Sequence, residues 1–486
     1  MGTRGYRVYR WKGYYHVQYN HYDSYPDGLG VQIASEIPVR DEESYKQWLQ
    51  AMRDSLDEDL ENNKDLIDEI GDGRYFITTN QPTTDIFIEW VYEIDLDHEV
   101  FLVDSSPLFA LKNTPSMNLF VECIGVDSYG HRSYKPSTPK EHIYHWKSDP
   151  PQVEQSVIDD YATRQANSSD QLSISELLGT TDSISDCESV RIAIHEVIIG
   201  LILGEWRLGN LIRHLETAPD RTQIPEAGVL LPIGVDMVQV VIGRMLFGAT
   251  PKRAPVEARS GSGFGWLAPD ICLRITTHLD DARNAKKAIL ELVDEIIAHR
   301  QPGRVTYGII FSCFHCIIVR VDTQNSFMST SALQFLPSFY ATSSSTPGTT
   351  AIGRLGLHCL NTNRESVANS VNTGHFLHNV PAEVLEEITV YLGPSALGNL
   401  CAAVPLFKPA AGRVLRFPHV DDYRLVGLFQ DEEIKRSLTA KGFSATQNGV
   451  PELNMVIGVG GSGAFGVSIG VTTRDLRWDL QTSAEV

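Results

Sequence analysis

The stretch from Leu377 to Leu415, LHNVPAEVLEEITVYLGPSALGNLCAAVPLFKPAAGRVL, constrains this chain most, because its apolar residues recur at a spacing that makes short helices with an apolar face. Pro381 suits a first helical turn, where its missing N–H would have no partner anyway, and Glu383 favours the positive end of the helix dipole. Val384, Leu385, Ile388 and Leu392 then fall on one face at helical spacing. Gly393-Pro394 stops that helix, Ser395 is placed to cap a second one carrying Leu397, Leu400, Cys401 and Val404, and Pro405 ends it. Two helices this short cannot bury both apolar faces against each other, so a remainder must pack on another domain or another protein. The same pattern also suits two ordinary core helices of a C-terminal domain.

The run Val380-Pro381-x-Glu383-Val384-Leu385-x-x-Ile388-x-x-x-Leu392, followed by Leu397-x-x-Leu400-Cys401-x-x-Val404, resembles an F-box. Val380 stands where that family usually has leucine, and Leu406-Phe407-Lys408-Pro409 replaces the polar and aromatic residues that commonly follow the second helix. The resemblance implies docking on a Skp-type adaptor of a cullin ubiquitin ligase, with an unknown target protein recruited by the rest of the chain. It makes Val380, Pro381, Val384, Leu385, Ile388, Leu392, Leu397 and Leu400 docking contacts, none of them catalytic.

With 486 residues the chain is long for one domain and implies two to four. Its 42% hydrophobic and 21% charged composition is that of a globular protein. A formal net charge of -20 disfavours nucleic acid and anionic membrane as partners. Seven scattered cysteines make no disulfide framework, which points to a reducing compartment, cytoplasmic or nuclear. The N-terminal residues MGTRGYRVYRWKG hold no apolar core of signal-peptide length. The longest apolar run, Ile192 to Trp206, is interrupted by His195, Glu196 and Glu205 and reads as a buried helix rather than a membrane span.

The expected fold class is α+β and multidomain. Residues 1–146 read as an antiparallel sheet with helices: a hairpin over Tyr6 to Asn20, amphipathic helix from Asp41 to Asp72, and strands at Tyr75 to Thr78, Ile86 to Ile94 and Val100 to Val103. Residues 147–186 have the polar composition of a linker. Residues 187–360 follow an α/β order, 361–376 read as a second linker, 377–415 are the F-box-like helices, and 416–486 are an extension with a β-hairpin formed by Leu453 to Val459 and Phe465 to Val471.

The densest polar and aromatic cluster is Tyr19 to Gly30. His21 and Asp23 could hold a metal or share a proton, with His16 as a third ligand. Asp23 to Gly30 is equally what a turn leading into a helix looks like, with capping side chains, a proline and glycines. Together with Met1-Gly2-Thr3-Arg4 this cluster resembles an uncharacterised group of bacterial, phage and fungal proteins, which supplies no activity. Cys313-Phe314-His315-Cys316 has zinc or redox spacing but apolar strand flanks and no second pair, so it reads as core. His195-Glu196 opens like a zinc-protease helix, yet position 199 is Ile199 and the second ligand is absent. Gly458-x-Gly460-x-x-Gly463 matches a dinucleotide fingerprint by letters, but a strand-like run follows where a helix is needed. Gly261-x-Gly263-x-Gly265 reads as a loop. Glu257, Asp270 and the strand from Ile271 to Ile275 resemble the core order of the PD-(D/E)xK nucleases, with Cys272-x-Arg274 in place of the metal-holding acid and lysine. The whole chain also resembles lineage-specific families of uncharacterised proteins from mushroom-forming fungi. Three functions follow: an F-box-like adaptor without a cofactor, an enzyme or ligand-binding protein using the His21/Asp23 loop or a degenerate nuclease-like domain, and an interaction protein with no ligase connection.

Overall fold

Alternating aromatic and β-branched residues make β1 (Gly5–Trp11) and β2 (Tyr14–Asn20) an antiparallel hairpin. Its turn residues Lys12 and Gly13 both have positive φ, 52° and 78°, which matches the twist of the flanking strands. Their N–H groups donate to the Asp97 carboxylate at 2.8 and 3.1 Å. The structure is a computed structural model that describes residues 3–39, 41–64, 67, 74–144, 150–165, 171–204, 227–242, 245–247, 257–258, 264–338, 340–368, 381–429, 438–447, 450–458, 466–472 and 477–483. These divide into two units, one up to Ser148 and one from Asp149 onward. Helices and several separate sheets make the fold α+β and multidomain.

In the first unit β3 (Tyr75–Thr78), β4 (Trp90–Asp95), β5 (Val100–Val103) and β6 (Ser106–Ala110) complete a six-stranded sheet in the order β3-β2-β1-β4-β5-β6. The sheet is not wholly antiparallel, because β4 runs parallel to β1. A short α1 (Val31–Ser35) and the long α2 (Glu42–Asn62) cover one face. Asp41 caps α2 by accepting from the Ser44 N–H at 2.8 Å, and Tyr45, Leu49 and Leu56 of α2 pack with Tyr9, Ile94 and Phe101. Phe101 and Phe109 close around Phe120 of α3 (Met117–Cys123), and β7 (Ile124–Val126) pairs with β8 (Arg132–Tyr134) beyond it. The strand expected from Ile86 starts only at Trp90, since Asp85 holds the preceding residues in a turn.

The second unit opens with α4 (Gln155–Gln165), α5 (Ile174–Leu178) and the apolar α6 (Asp186–Gly204). The stretch 147–186 is therefore partly helical rather than a linker. Its serines and glutamates are helix caps: Ser173 with Glu176, and Ser185 with Glu188, each exchange side-chain and backbone bonds across one turn. Tyr161 of α4 enters a core with Leu292 and Val293.

After α7 (Ala227–Ile242) and β9 (Leu246–Phe247) come β10 (Glu257–Ala258), β11 (Phe264–Ala268), β12 (Ile271–Ile275), α8 (Ala282–His299), β13 (Thr306–Phe311), β14 (His315–Val321), β15 (Phe327–Ser329) and β16 (Leu333–Gln334). They form a sheet in the order β10-β11-β12-β13-β14-β15, with β16 beside β14. Only β12 and β13 are parallel, across the α8 crossover, so the α/β reading holds for a single β-α-β step. Next, α9 (Pro347–Ala368) begins behind the Thr346 side chain, whose Oγ1 accepts from the Thr349 N–H at 3.2 Å. That helix runs through 361–368, the first half of the expected second linker. A Cβ at Gly356 would lie 2.5 Å from the Val241 carbonyl oxygen, so glycine at this position lets α9 press onto α7.

The chain ends with α10 (Ala382–Val390), α11 (Pro394–Ala403), α12 (Lys408–Leu415), β17 (His419–Val420), β18 (Tyr423–Phe429), β19 (Ala440–Gln447), β20 (Val450–Gly458), β21 (Gly466–Thr472) and β22 (Arg477–Ser483). These strands and β9 form the sheet β22-β21-β20-β19-β18-β17-β9. The expected hairpin of β20 with β21 is not formed: the two pair in parallel, and β21 makes its hairpin with β22. Alternation identifies a strand but carries no information about its direction relative to a neighbour. Among the described residues no helix is long and apolar enough to cross a membrane.

Arg354 of α9, 4% exposed, ties these elements together by donating to Glu188 at 3.1 Å, Ser175 at 2.8 Å, Thr180 at 3.1 Å and the Thr181 carbonyl. Arg354→Met would roughly keep the volume and deprive the Glu188 Oε1 oxygen, the Ser175 and Thr180 hydroxyls and the Thr181 carbonyl of their arginine donor. The expected cost is about 3 to 5 kcal/mol, read as a lower denaturant midpoint of the second unit.

Candidate docking face on the C-terminal helices

Pro381 is the N-cap of α10 and is exposed, with its carbonyl accepting from the Leu385 N–H at 3.3 Å. Gly393 caps α11 and Pro394 occupies its first turn, so Ser395 lies inside the helix rather than at its cap. A helix absent from the sequence reading, α12, follows a short 3₁₀ turn at Pro405–Phe407. It supplies what two short helices lack. Leu385 packs with Phe407 and Ala410, bordered by Leu400, Cys401, Val404 and Leu406. Leu397 packs with Ala411, Val414 and Leu415, bordered by Leu246, Val390, Leu392 and Cys401.

This arrangement splits the expected single face. Leu385, Leu392, Leu397 and Leu400 serve the helices' own cores. Val384 and Ile388 remain 46% and 43% exposed and are joined by Tyr391, 52% exposed. At 100° per residue these three share an arc centred roughly 90° from Leu385. Tyr391 was not singled out in the sequence, although the spacing 384, 388, 391 is a helical stripe. Around the stripe lie Glu383, Glu386 and Glu387: Glu387 accepts from the Tyr391 hydroxyl at 3.2 Å, and Glu386 pairs with Arg413 of α12. Val380 falls outside the described residues.

The other sequence candidates are not brought together. His16 is buried and points toward α2, where its Nδ1 bonds Asp59 at 2.7 Å and the Tyr75 hydroxyl at 3.0 Å. His21 is exposed and bonded to the Tyr19 hydroxyl at 2.7 Å, on the opposite side of β2 by strand alternation. Asp23 is exposed with φ of 52°, and its carbonyl accepts from the Leu29 N–H at 3.0 Å at the head of a π turn. Cys313 sits in the β13–β14 turn and Cys316 begins the core of β14, both buried, and burial pushes the Cys313 thiol up to about 12. Arg274 pairs with Glu291 and lies over the Phe264 ring at 4.6 Å, which commits the position where a nuclease would need a lysine. Gly460, Gly463, Gly261 and Gly263 lie outside the described residues. Among the described residues no group of three or more His, Cys, Asp or Glu side chains could hold a metal.

A buried acid pair escaped the sequence reading, though two acids alternating in the strand WVYEID signal it. Glu93 is 1% exposed, with one oxygen accepting from Gln81 at 3.2 Å and the other without a partner. Burial, then the Asp95 charge, pushes its carboxyl up to about 8. Burial also works against ionised Asp95, but the His98 hydrogen bond and the Arg10 charge hold it below the usual range. Its enclosure within the sheet is what favours the protonated form.

His195 is fully enclosed in α6 beside the Phe335 ring at 5.3 Å, and burial pushes it down to about 3. Burial likewise holds His419 down to about 4. Both are neutral when folded, whereas the unfolded chain takes up protons near pH 6.5. The contribution of these two histidines is therefore fully present above pH 6.5 and is lost as pH drops toward the lowered values. Each loses about 2 kcal/mol between pH 7 and 5, so His195→Leu should make the change in unfolding free energy between the two pH values about 2 kcal/mol less unfavourable on acidification than in wild type, read by urea titrations.

Leu385→Ala should lower stability by about 2 to 4 kcal/mol. Val384→Ser and Ile388→Ser should leave the thermal midpoint within a few degrees of wild type, since both side chains already meet water. Melting curves of the three variants check the division between the inner and outer faces.

Comparison of the chain with protein-family models, curated proteins and solved structures gives no match, so any function rests on the geometry above.

Proposed function

We propose that α10, α11 and α12 form an F-box-like docking element that binds a Skp-type adaptor, leaving the remainder of the chain to recruit a target protein for ubiquitination. The observation that carries this reading is the stripe Val384, Ile388 and Tyr391, an apolar face left open on a helix whose inner face is satisfied by its own bundle. The sequence resemblance of Val380 to Val404 gives the partner. An adaptor would cover the stripe and Pro381, while Leu385 and Leu397 would hold the element in shape.

The test is capture of the purified full chain by a purified Skp-type adaptor. Val384→Ser combined with Ile388→Ser should weaken capture about thirtyfold, equivalent to roughly 2 kcal/mol of lost contact, in a chain that melts like wild type. Failure of a folded wild-type chain to bind would overturn the adaptor reading. Binding undiminished in the double variant would overturn the assignment of this face.

A further inference from the structure

In the first unit β3 and β4 both run in the direction of β1, with β2 and β1 lying between them, so the chain from Thr78 to Trp90 has to cross the sheet. A helix commonly makes such a crossover. Residues 79–89 make it with extended chain and a turn, over the face opposite α2. The strap is held at both ends. Near its start Gln81 donates to Glu93 of β4 at 3.2 Å, and Pro82 beside it is buried. Near its end Ile88, 4% exposed, packs with Val8, Val17 and Val91, and the Glu89 N–H donates to the Arg4 carbonyl at 2.9 Å. Between these points the Asp85 Oδ1 accepts from the N–H groups of Phe87 and Ile88 at 2.6 and 2.7 Å. Those bonds are internal to the strap and leave Ile86 and Phe87 88% and 60% exposed at its tip.

We propose that residues 79–89 are a proton-linked strap, closed on the sheet while the Glu93 carboxyl beneath them keeps its proton and released when that proton leaves. The site suits an acid but not its anion. Among the described residues the Gln81 amide is the one donor to this carboxyl, and Oε1 is buried without a partner. Asp95 stands two residues on, on the same side of the strand. The nearby basic groups serve Asp95 instead: Arg10 donates to its Oδ2 at 2.5 Å, and the His98 ring bonds the same oxygen at 2.8 Å. Facing Glu93 are thus Arg10 of β1, Tyr15 of β2, Asp95 of its own strand, Asp97 of the following turn and Gln81 of the strap. An anion here would be short of donors and beside a like charge. The strands around it are tied by the sheet's hydrogen-bond ladders, whereas the strap has few bonds to the sheet, so the strap is what gives way. With the strap closed, burial and then the Asp95 charge hold the carboxyl up to about 8, and an open strap returns it to the ordinary glutamate range. Between those two values opening releases one proton, so the opening constant rises about tenfold per pH unit and levels off above the upper value. Acidification closes the strap over the apolar cluster of Val8, Val17 and Val91.

The experiment is hydrogen exchange of the full chain, read by mass spectrometry of overlapping peptides from pH 6 to pH 8, with each rate corrected for intrinsic exchange. The Glu89 amide reports release, because its bond to Arg4 is lost when the strap lifts. Its protection should fall about fiftyfold from pH 6 to pH 8 in wild type. Glu93→Gln keeps the shape and the Gln81 contact without a proton to lose, and its protection should stay level. Gln81→Ala, a change on the strap itself, should lower protection already at pH 6. His98→Asn should keep the pH dependence, which separates Glu93 from the histidine beside Asp95. The inference is overturned if wild-type protection is level over this range, if Glu93→Gln retains the fall, if His98→Asn abolishes it, or if Gln81→Ala is protected like wild type.

Discussion

Between Asp186 and Gly204 the chain carries apolar residues around the whole helix, so α6 has to be covered on every side, and the elements from Asp149 onward are arranged to do it. On one side α7 and α9 pack against it, and on the other lie β18, β19 and β20. Approach is close. A Cβ at Gly200 would fall 2.1 Å from the Leu438 carbonyl oxygen, which fixes the chain entering β19 directly on the helix. The two charged residues buried inside α6 are answered: Arg191 donates to the carbonyls of Arg416 and Val241, and Glu196 pairs with Lys441 of β19 at 2.9 Å. Removing a charge from water is tolerable only with such partners, so these bonds also specify which strand and which helix lie against α6.

The short C-terminal helices inherit their position from this arrangement. The Arg416 carbonyl, immediately after α12, accepts from both Arg191 and Cys187, at 3.0 and 3.4 Å. Leu246 of β9 closes the cluster around Leu397, and β9 runs parallel to β17 just beyond α12. The bundle of α10, α11 and α12 is thus fixed at its inner side, and α10 presents its outer stripe from a backbone that cannot turn the stripe inward. That rigidity is what a binding element needs, because little ordering remains to be done on association.

How far the sequence disclosed this depends on whether the signal was local. The β1–β2 hairpin, the amphipathic α2 and α8, the buried α6 and the break at Gly393-Pro394 are set by neighbours a few residues apart, and periodicity located them. What it missed was set by distant contacts. The stretch 147–186 looked like a linker because Ser173, Glu176, Ser185 and Glu188 are polar, yet those residues start helices. The polar residues 361–368 looked like linker, yet they continue α9, whose Gly356 has its reason in the backbone of α7. Pairing direction of β1 with β4 and of β20 with β21 is absent from alternation. The apolar positions of α10 and α11 were legible, but their division into inner Leu385 and outer Val384 requires α12, whose alanine-rich face carries a weak apolar signal.

Exposed apolar side chains on a flexible segment can fold back on themselves, and their presence then means little. The two sets described above cannot. Val384, Ile388 and Tyr391 stand on a helix held by two internal cores, and Ile86 and Phe87 stand on a turn whose N–H groups are bonded to the Asp85 carboxylate. Each keeps its contact with water in the isolated chain, at roughly 25 cal/mol for every Å² of apolar surface left uncovered. A backbone that spends hydrogen bonds and packing to hold such residues outward is consistent with a covering surface elsewhere. The two sets differ in setting: Val384, Ile388 and Tyr391 form a stripe along a helix rimmed by glutamates, whereas Ile86 and Phe87 project from the tip of a turn.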